Sequence, residues 1–133
     1  MPDSYYEHAA CGLLTTDADG AIVAVNETLL TWMGVERSDL VGERTFSDLL
    51  TGGGRIYHET HYAPMLAMQG FARELAFDLV CADETRLPVL VNARTDVLDG
   101  RTVIHMAIFD ATERRMYERE LLAAKEDAEY SEA

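Results

Sequence analysis

Two histidines, at positions 58 and 61, have the types and spacing that best suit metal chemistry. The segment His58-Glu59-Thr60-His61 places them three positions apart, on neighbouring positions of a helix. A neutral imidazole can ligate haem iron or a divalent metal ion. No other residues of the sequence have a spacing that would add further ligands to a metal site at these two histidines. We therefore expect one histidine to face solvent and the other to pack where the helix meets a sheet.

Residue types that occur in enzyme active sites are scattered over the rest of the chain. Cys11 and Cys81 each lie inside an apolar run, form no Cys-x-x-Cys pair, and are predicted to be buried free thiols. Glu59, Glu74 and Asp78 do not pair at a spacing suited to general acid–base catalysis, and no Gly-x-Ser-x-Gly turn occurs. The sequence therefore predicts a protein that is not an enzyme.

Short strands and short helices are predicted in the first half of the chain. Residues 17–20, Asp-Ala-Asp-Gly, predict a tight turn between two β-rich runs. Asn26 is a suitable N-cap for a helix that Gly34 would end. The helical segments of this half are predicted at residues 27–33, 37–41 and 46–50.

A longer helix is predicted over residues 56–69. The glycine run at residues 52–54 is expected to break the chain before this helix, and Gly70 to end it. Pro64 lacks a backbone donor and its ring clashes with the preceding turn, so we expect a kink or a break there.

Three strands are predicted after that helix, at residues 72–82, 86–97 and 102–109. Polar turns at residues 83–85 and 99–100 make them an antiparallel meander. Asn92 and His105 lie within these apolar runs, where an unpaired polar group costs about 1–3 kcal/mol. Each is expected to be hydrogen bonded or to face water. The order of elements predicts an α+β fold, with a five-stranded antiparallel sheet covered on one face by short helices and space for a small ligand between them.

Charge and hydropathy exclude several partners for this chain of 133 residues. Lys and Arg number 11 against 24 Asp and Glu, and the net charge of −13 repels nucleic acid and anionic membrane surfaces. The first residues lack a positive segment, and no apolar run approaches the ~20 residues needed to cross a bilayer. We therefore predict a cytoplasmic protein.

The last segment of the chain predicts a projecting helix. Asp110 and Glu113 have the spacing of a capping box, so a helix is expected to begin there. An apolar seam at 4-3-4 spacing follows, a coiled-coil pattern that continues to Ser131, and its members are Tyr117, Leu121, Ala124 and Ala128. Such a seam needs a partner helix, unless the helix folds back on its own domain.

These motifs, in this order, resemble a PAS sensory domain. The matching pieces are Asp-Ala-Asp-Gly-Ala-Ile at residues 17–22, Val25-Asn26, Met33-Gly34 and Ser-Asp-Leu-Val-Gly at residues 38–42. The junction at residues 110–114, Asp-Ala-Thr-Glu-Arg, is similar to the passage from the last PAS strand into a signalling helix. Residues 55–69 look like PAS domains of bacterial regulators with serine phosphatase or histidine kinase output.

The resemblance implies a cytoplasmic sensory module with three parts. Residues 1–9 would form an N-terminal cap, residues 10–110 the PAS domain, and residues 111–133 a coiled-coil signalling helix. In this family the state of an internal pocket is passed through the last helix to an output domain. A homodimer and an output phosphatase or kinase domain are the implied partners.

The predicted pocket is apolar and suits a small apolar or aromatic ligand. Its lining is drawn from the longer helix and the strands, with Asn92 as a possible orienting group: Tyr57, His61, Met65, Met68, Phe77, Leu79, Val91, Asn92 and Met106. By resemblance to gas-sensing PAS domains, His61 would be the residue to hold haem, but we do not favour haem. Non-covalent flavin is also not favoured, and residues 45–55 contain no Cys for a flavin adduct.

Two alternatives to a ligand-binding sensor stay open on the sequence. One is a protein-interaction PAS domain with a filled core and no ligand. The other is a small cone-shaped α+β enzyme, such as an isomerase with an acid–base pair in an apolar cavity. A carboxylate with a raised pKa deep in the pocket would favour this alternative. The capping pattern before a heptad helix favours the sensor.

Overall fold

A five-stranded antiparallel sheet forms the centre of the protein. The computed structural model describes residues 2–132, and the side chains of residues 3–128. The strands follow the spatial order β2-β1-β5-β4-β3. Their bounds are β1 Gly12–Asp17, β2 Ile22–Val25, β3 Phe71–Val80, β4 Arg86–Leu98 and β5 Arg101–Asp110. The predicted α+β fold is confirmed, and the three long strands end within two residues of the predicted positions.

Helices cover one face of this sheet and flank its ends. Their bounds are α1 Pro2–Glu7, α2 Glu27–Met33, α3 Arg37–Leu40, a 3-10 turn Phe46–Leu49, α4 Gly52–Tyr57, a π-helix His58–Tyr62, α5 Ala63–Gln69 and α6 Thr112–Glu132. The segments α2 to α5 pack on the sheet, while α6 leaves it.

Alternation along the strands separates a buried inner face from an open outer face. On the inner face Met106 of β5 is paired with Leu14 of β1 and with Ala93 of β4, and all three are buried. Their neighbours on the outer face are more exposed, and Phe109 is 43% exposed. The two-residue period of the strands thus places the core between the inner face and the helices.

Asn26 joins the N-terminal segment, the sheet and α2. Its Oδ1 accepts hydrogen bonds from the backbone N–H groups of Leu29, at 3.2 Å, and Leu13, at 2.9 Å. Its Nδ2 donates to the carbonyl oxygens of Tyr6, at 2.8 Å, and Cys11, at 3.1 Å. The side chain is completely buried. The predicted N-cap is confirmed, and the amide group also holds α1 in place.

The predicted longer helix begins earlier than the sequence pattern indicates, and it is divided. The glycine run does not break the chain, because Thr51 caps α4 by accepting a hydrogen bond from the N–H of Gly54 at 3.2 Å. Pro64 lies in the first turn of α5, directly after the π-helix, and the chain stays helical through it instead of breaking. The expected irregularity is present as the π-helix that immediately precedes α5.

The start of α6 also differs in detail from the prediction. The helix begins at Thr112, and Oδ1 of Asp110 accepts hydrogen bonds from the backbone N–H of Thr112 at 2.9 Å and from its hydroxyl at 2.6 Å. The side chain of Asp110 therefore forms an Asx turn with Thr112, two residues on, instead of a capping box with Glu113. The N–H of Ala111 donates to the carbonyl oxygen of Pro88 at 2.8 Å, which ties the junction to β4.

Candidate functional site

An apolar cavity of about 200 Å³ lies between the helices and the inner face of the sheet. The π-helix and α5 form one wall, and β1, β4 and β5 form the other. The lining residues are Thr16, Ala18, Gly20, Phe46, His58, Tyr62, Ala63, Leu66, Ala67, Thr95, Thr102, Ile104 and Met106. Ala18, Ala63, Ala67 and Thr102 are exposed, so the cavity opens to the surface between α5, the β1–β2 turn and the β4–β5 end.

The π-helix aims two rings at this cavity. His58 and Tyr62 mark its two ends, and their rings stack with centroids 4.7 Å apart. Phe46 closes the group, with its ring centroid 5.9 Å from that of His58 and 6.0 Å from that of Tyr62. π-helical turns are common at functional sites, and both polar rings of this one belong to residues that line the cavity.

Polar groups in the cavity are uncharged. Among the described residues no Asp, Glu, Lys or Arg lines it. Burial lowers the pKa of His58, with Glu59 acting weakly in the opposite direction, so the imidazole is neutral at physiological pH. Burial raises the pKa of Tyr62 far above its ordinary value of 10.0. Its hydroxyl is buried and has no hydrogen-bond partner among the described residues.

Of the nine residues predicted to line the pocket, only Met106 lies in the lining. Phe77, Leu79 and Val91 are almost completely buried and belong to the hydrophobic core beside the cavity. Met65 is half-buried and packs against that core. These four residues support the cavity wall without touching the open space.

The other four predicted residues lie outside the cavity lining, and one of them, Tyr57, packs its ring edge-on against that of Phe77 with centroids 5.6 Å apart. His61 is exposed and stacks on Tyr57, with ring centroids 4.8 Å apart, and Met68 is 88% exposed. Asn92 lies on the outer face of the sheet. Its Oδ1 accepts a hydrogen bond from the backbone N–H of Glu74 at 2.7 Å, which stabilises the left-handed conformation of Glu74 at a β-bulge. Asn92 therefore shapes β3 and not the cavity.

The residues that the sequence interpretation missed have a recognisable pattern. His58 and Tyr62 are four positions apart, and one helical face therefore presents both. Thr16 and Ile104 are inner-face positions that pair with each other across β1 and β5. Strand alternation could have identified this pair. Leu66, four positions beyond Tyr62, also lines the cavity, so the same spacing could have favoured His58 over His61.

The cavity does not fit haem or flavin. Pockets for molecules of drug size have volumes of roughly 300–1,000 Å³, and this cavity has about 200 Å³. His61, which the resemblance would assign to haem, lies outside it. His58 reaches the cavity, but its ring is stacked on Tyr62 rather than directed at a space large enough for a porphyrin.

The two cysteines and His105 lie away from the cavity. Cys11 and Cys81 are free, as predicted, but each is half-buried rather than buried, and burial raises the pKa of both thiols.

On the outer face, Nδ1 of His105 is 3.1 Å from the hydroxyl oxygen of Thr15, and its Nε2 is 3.3 Å from Oδ2 of Asp96. Asn92 and His105, the two polar residues within the apolar strands, are therefore both hydrogen bonded, as expected.

At the base of α6 an ion pair joins the helix to the sheet. Nη1 of Arg115 is 2.8 Å from Oδ1 of Asp78 on β3. Beyond this point the helix extends away, and its large apolar side chains are more than half exposed: Met116, Tyr117, Leu121 and Leu122. Ala124 and Ala128 of the predicted seam are also exposed, and the side chain of Ser131 lies outside the described residues.

Comparison with known families decides what kind of domain this is. A family model described as a PAS domain matches residues 10–113, which is most of the chain. The chain belongs to the PAS domain family. Among curated relatives, this PAS domain is 28% identical over 127 residues to the phosphoserine phosphatase RsbP of Bacillus subtilis. That match covers 96% of this chain but 31% of RsbP, so the chain spans about a third of the length of that relative.

Solved structures show the same fold at low sequence identity. A PAS domain from Colwellia psychrerythraea superposes with a TM-score of 0.74 at 13% identity, covering 84% of this chain and 95% of that one. A PAS domain from a two-component sensor histidine kinase superposes with a TM-score of 0.71 at 8% identity, covering 82% and 92% of the two chains.

Membership in this family establishes the general role of the domain. PAS domains are sensory modules of signalling proteins and are not themselves catalytic. The match to the PAS family over residues 10–113 argues against the isomerase alternative. No helix in residues 2–132 is long and apolar enough to span a membrane.

Proposed function

We propose that this PAS domain binds a small molecule in the cavity and passes its state through α6 to an output domain. The observation that carries the proposal is the position of β5. This strand supplies Ile104 and Met106 to the cavity wall and ends at Asp110, two residues before α6 begins. A ligand that moves β5 would therefore also move the start of α6.

The cavity supports the binding step because it is small, apolar and open at one end. Cavities of about 150 Å³ lined by apolar side chains bind molecules of the size of benzene in other proteins. The apolar part of the wall comes from Phe46, Leu66, Ile104 and Met106. Binding would favour the packing of the π-helix on the sheet that leaves the larger cavity. The ligand would thus shift the populations of conformations that already exist.

Contacts at the base of α6 support the relay step. The Asp78–Arg115 ion pair and the hydrogen bond from Ala111 to Pro88 link the helix to β3 and β4. We propose that residues 111–133 act as a signalling helix, residues 10–110 as the sensory domain and residues 1–9 as an N-terminal cap. The exposed seam at Tyr117, Leu121, Ala124 and Ala128 would pair with the same seam of a second copy.

The output partner is proposed from the relatives. RsbP is a phosphatase, and one of the similar structures comes from a sensor histidine kinase. We therefore propose an output domain of the phosphatase or kinase class, in the cytoplasm, under the control of a homodimer of this PAS domain. The strongly acidic surface makes nucleic acid and anionic membranes poor partners.

Benzene is a suitable probe for the cavity. Its addition should shift the amide NMR resonances of the π-helix, α5 and the inner-face residues of β5, and leave outer-face resonances unchanged. Ala67→Trp would fill the mouth of the cavity and should weaken benzene binding at least tenfold. Met68→Trp is the matched control, because Met68 is the next residue on the same helix and is 88% exposed. Equal binding by both variants would contradict the cavity as the ligand site.

The relay is tested with the same probe by measuring hydrogen exchange. Benzene should change the exchange rates of amides in the first two turns of α6 in the unmodified protein and in Met68→Trp. It should have no effect in Ala67→Trp. If benzene binds in the cavity but exchange in α6 stays constant, the domain binds a ligand without relaying it through this helix.

A further inference from the structure

We infer that a cleft at the base of α6 docks a segment of a partner protein that carries acidic side chains beside an apolar one. The cleft has a volume of about 350 Å³ and is separate from the cavity between the helices and the sheet. The sheet contributes Asp78, Arg86 and Pro88 to its lining, and α6 contributes Arg115, Met116 and Arg119. This inference goes beyond the proposed function, because it does not depend on a ligand in the cavity.

Positive charge accumulates in this cleft, although the chain as a whole is strongly acidic. Three of the 11 basic residues line it, and Asp78 is the one acidic residue among the described side chains that do so. Asp78 is paired with Arg115 at 2.8 Å. Arg86 and Arg119 remain, so the three arginines and one aspartate give the cleft a net charge of +2.

Arg86 and Arg119 are both exposed, and neither forms a hydrogen bond or an ion pair within the described part of the chain. Arg119 has no acidic residue three or four positions away, so the helix itself supplies no partner for it. Glu118, one residue before it, pairs with Arg114 at 3.1 Å. Both guanidinium groups are therefore available to an anionic group from outside.

Repulsion between the arginines adds a reason for an anion to bind here. Arg115 and Arg119 are four positions apart and lie on one face of α6, and like charges at this spacing destabilise a helix. Arg86 adds a third positive charge from the facing wall. Carboxylates bound between the two walls would relieve this repulsion.

The two walls favour a polypeptide segment over one compact anion. Arg86 and Arg119 lie on opposite walls, so each can hold its own carboxylate, and the planar fork of a guanidinium group matches that shape. Pro88 and Met116 place apolar surface in the same cleft, and Met116 is 54% exposed. A segment with Asp or Glu on either side of an apolar residue would use both kinds of surface.

The net charge of −13 does not prevent this contact. The Debye length is about 8 Å at physiological ionic strength, so acidic groups elsewhere on the protein are largely screened from the cleft. A long polyanion such as nucleic acid would extend beyond the cleft over acidic surface, whereas a short segment would not.

The cleft and the proposed dimer seam lie on opposite faces of α6. Arg119 is two positions from both Tyr117 and Leu121, which corresponds to a rotation of about 200° around the helix in either direction. A partner in the cleft would therefore not compete with a second copy at the seam.

Two blocked pentapeptides of similar shape test the inference. One is acetyl-Glu-Glu-Leu-Glu-Glu-amide, and the other has Gln at every acidic position. In NMR titrations of the 133-residue chain, the acidic peptide should shift amide resonances at the start of β4 and in the first two turns of α6, and the neutral peptide should shift neither. The double variant Arg86→Gln, Arg119→Gln should weaken binding of the acidic peptide roughly tenfold, the combined value of two partly exposed ion pairs.

The matched control is the double variant Arg73→Gln, Arg94→Gln, which removes the same amount of charge. These two arginines lie at the other end of β3 and β4, where Arg94 is paired in register with Phe71. Binding of the acidic peptide should be unchanged in this control. The melting temperature of Arg119→Gln should be no lower than that of the unmodified protein, because the substitution removes a repulsion.

Four results would overturn the inference. Equal weakening by the two double variants would show that the peptide is attracted by net charge alone. Inorganic phosphate that binds at the cleft as tightly as the acidic peptide would make the cleft a site for a small anion. No shift in the cleft with the acidic peptide at millimolar concentration would show that the arginines do not bind carboxylates. A lower melting temperature of Arg119→Gln would show that this arginine already has a stabilising partner.

Discussion

Asp78 on β3 and Arg115 in the first turn of α6 form an ion pair with 2.8 Å between Oδ1 and Nη1. Their side chains are 26% and 36% exposed, so the pair is only partly screened by water. It lies where α6 leaves the sheet, beside the hydrogen bond from Ala111 to Pro88. These two contacts determine the direction in which the helix begins.

Breaking this pair should loosen the base of α6 with little effect on the fold. We expect Asp78→Asn to lower the free energy of unfolding by less than about 1 kcal/mol, because partly exposed ion pairs contribute little. Amides of the first two turns of α6 should exchange several times faster. Arg114→Gln is the control, since Arg114 pairs with Glu118 at 3.1 Å within the helix. The same exchange rates in both variants would contradict the anchoring role.

The apolar seam of α6 should be required for dimerisation. Leu121 is 52% exposed, and a charge introduced there would lie between two copies of the helix. Leu121→Asp is therefore expected to raise the dimer dissociation constant at least tenfold, as measured by sedimentation equilibrium. Leu122→Asp serves as the control, because Leu122 is exposed to a similar extent, at 57%, but lies off the seam. Dimerisation lost equally in both variants, or in neither, would show that the seam is not the interface.

Asn26 should be among the polar residues whose replacement costs most stability. Asn26→Asp keeps the two hydrogen bonds that Oδ1 accepts and removes the two that Nδ2 donates to Tyr6 and Cys11. It also places a carboxylate beside two buried carbonyl oxygens, so we expect a loss of about 3 kcal/mol or more in urea denaturation. Asn92→Asp is the matched control. The carboxylate there retains the single bond to Glu74, and the loss should stay below about 0.5 kcal/mol.

The titration of His58 should make the protein less stable in weak acid. Burial lowers its pKa in the folded state below the ordinary value of 6.5, while Glu59 partly opposes the shift. Below pH 6.5 His58 binds a proton in the unfolded chain but not in the folded protein. The contribution of neutral His58 to the free energy of unfolding is therefore complete above that pH and is lost as the pH falls. His58→Gln should reduce the decrease in stability between about pH 7 and 5.5. Chemical denaturation across that range measures the slope, and an unchanged slope would contradict the burial of a neutral imidazole.

Strand positions and the fold could be predicted because their signals are local. Alternating apolar residues in β3, with Leu75, Phe77 and Leu79 on one face, indicate a half-buried strand, and all three side chains are buried in the structure. Asn26 and Gly34 have cap geometries that few other residues adopt, and both act as predicted. Helix ends marked by such residues can be predicted from the local sequence, without knowledge of distant contacts.

The lining of the cavity was missed because large apolar or aromatic residues lie on two neighbouring stripes of one helical segment. The sequence interpretation chose the stripe that contains Tyr57, His61 and Met65. The cavity is instead lined by His58, Tyr62 and Leu66, and His61 is exposed. Asn92 was also misplaced, although alternation along β4, with Val91 and Ala93 buried on the inner face, assigns it to the outer face. Both errors concern the direction of a side chain, not the element that carries it.

The central position of β5 has a mechanical consequence for α6. Because β5 is hydrogen bonded to β1 on one side and β4 on the other, it cannot peel away as the edge strands β2 and β3 can. A movement of α6 that is passed to β5 must therefore also move β1 and β4. The helix should therefore move together with the middle of the sheet, and a small rotation near Asp110 would become a larger displacement at the far end of its 21 residues.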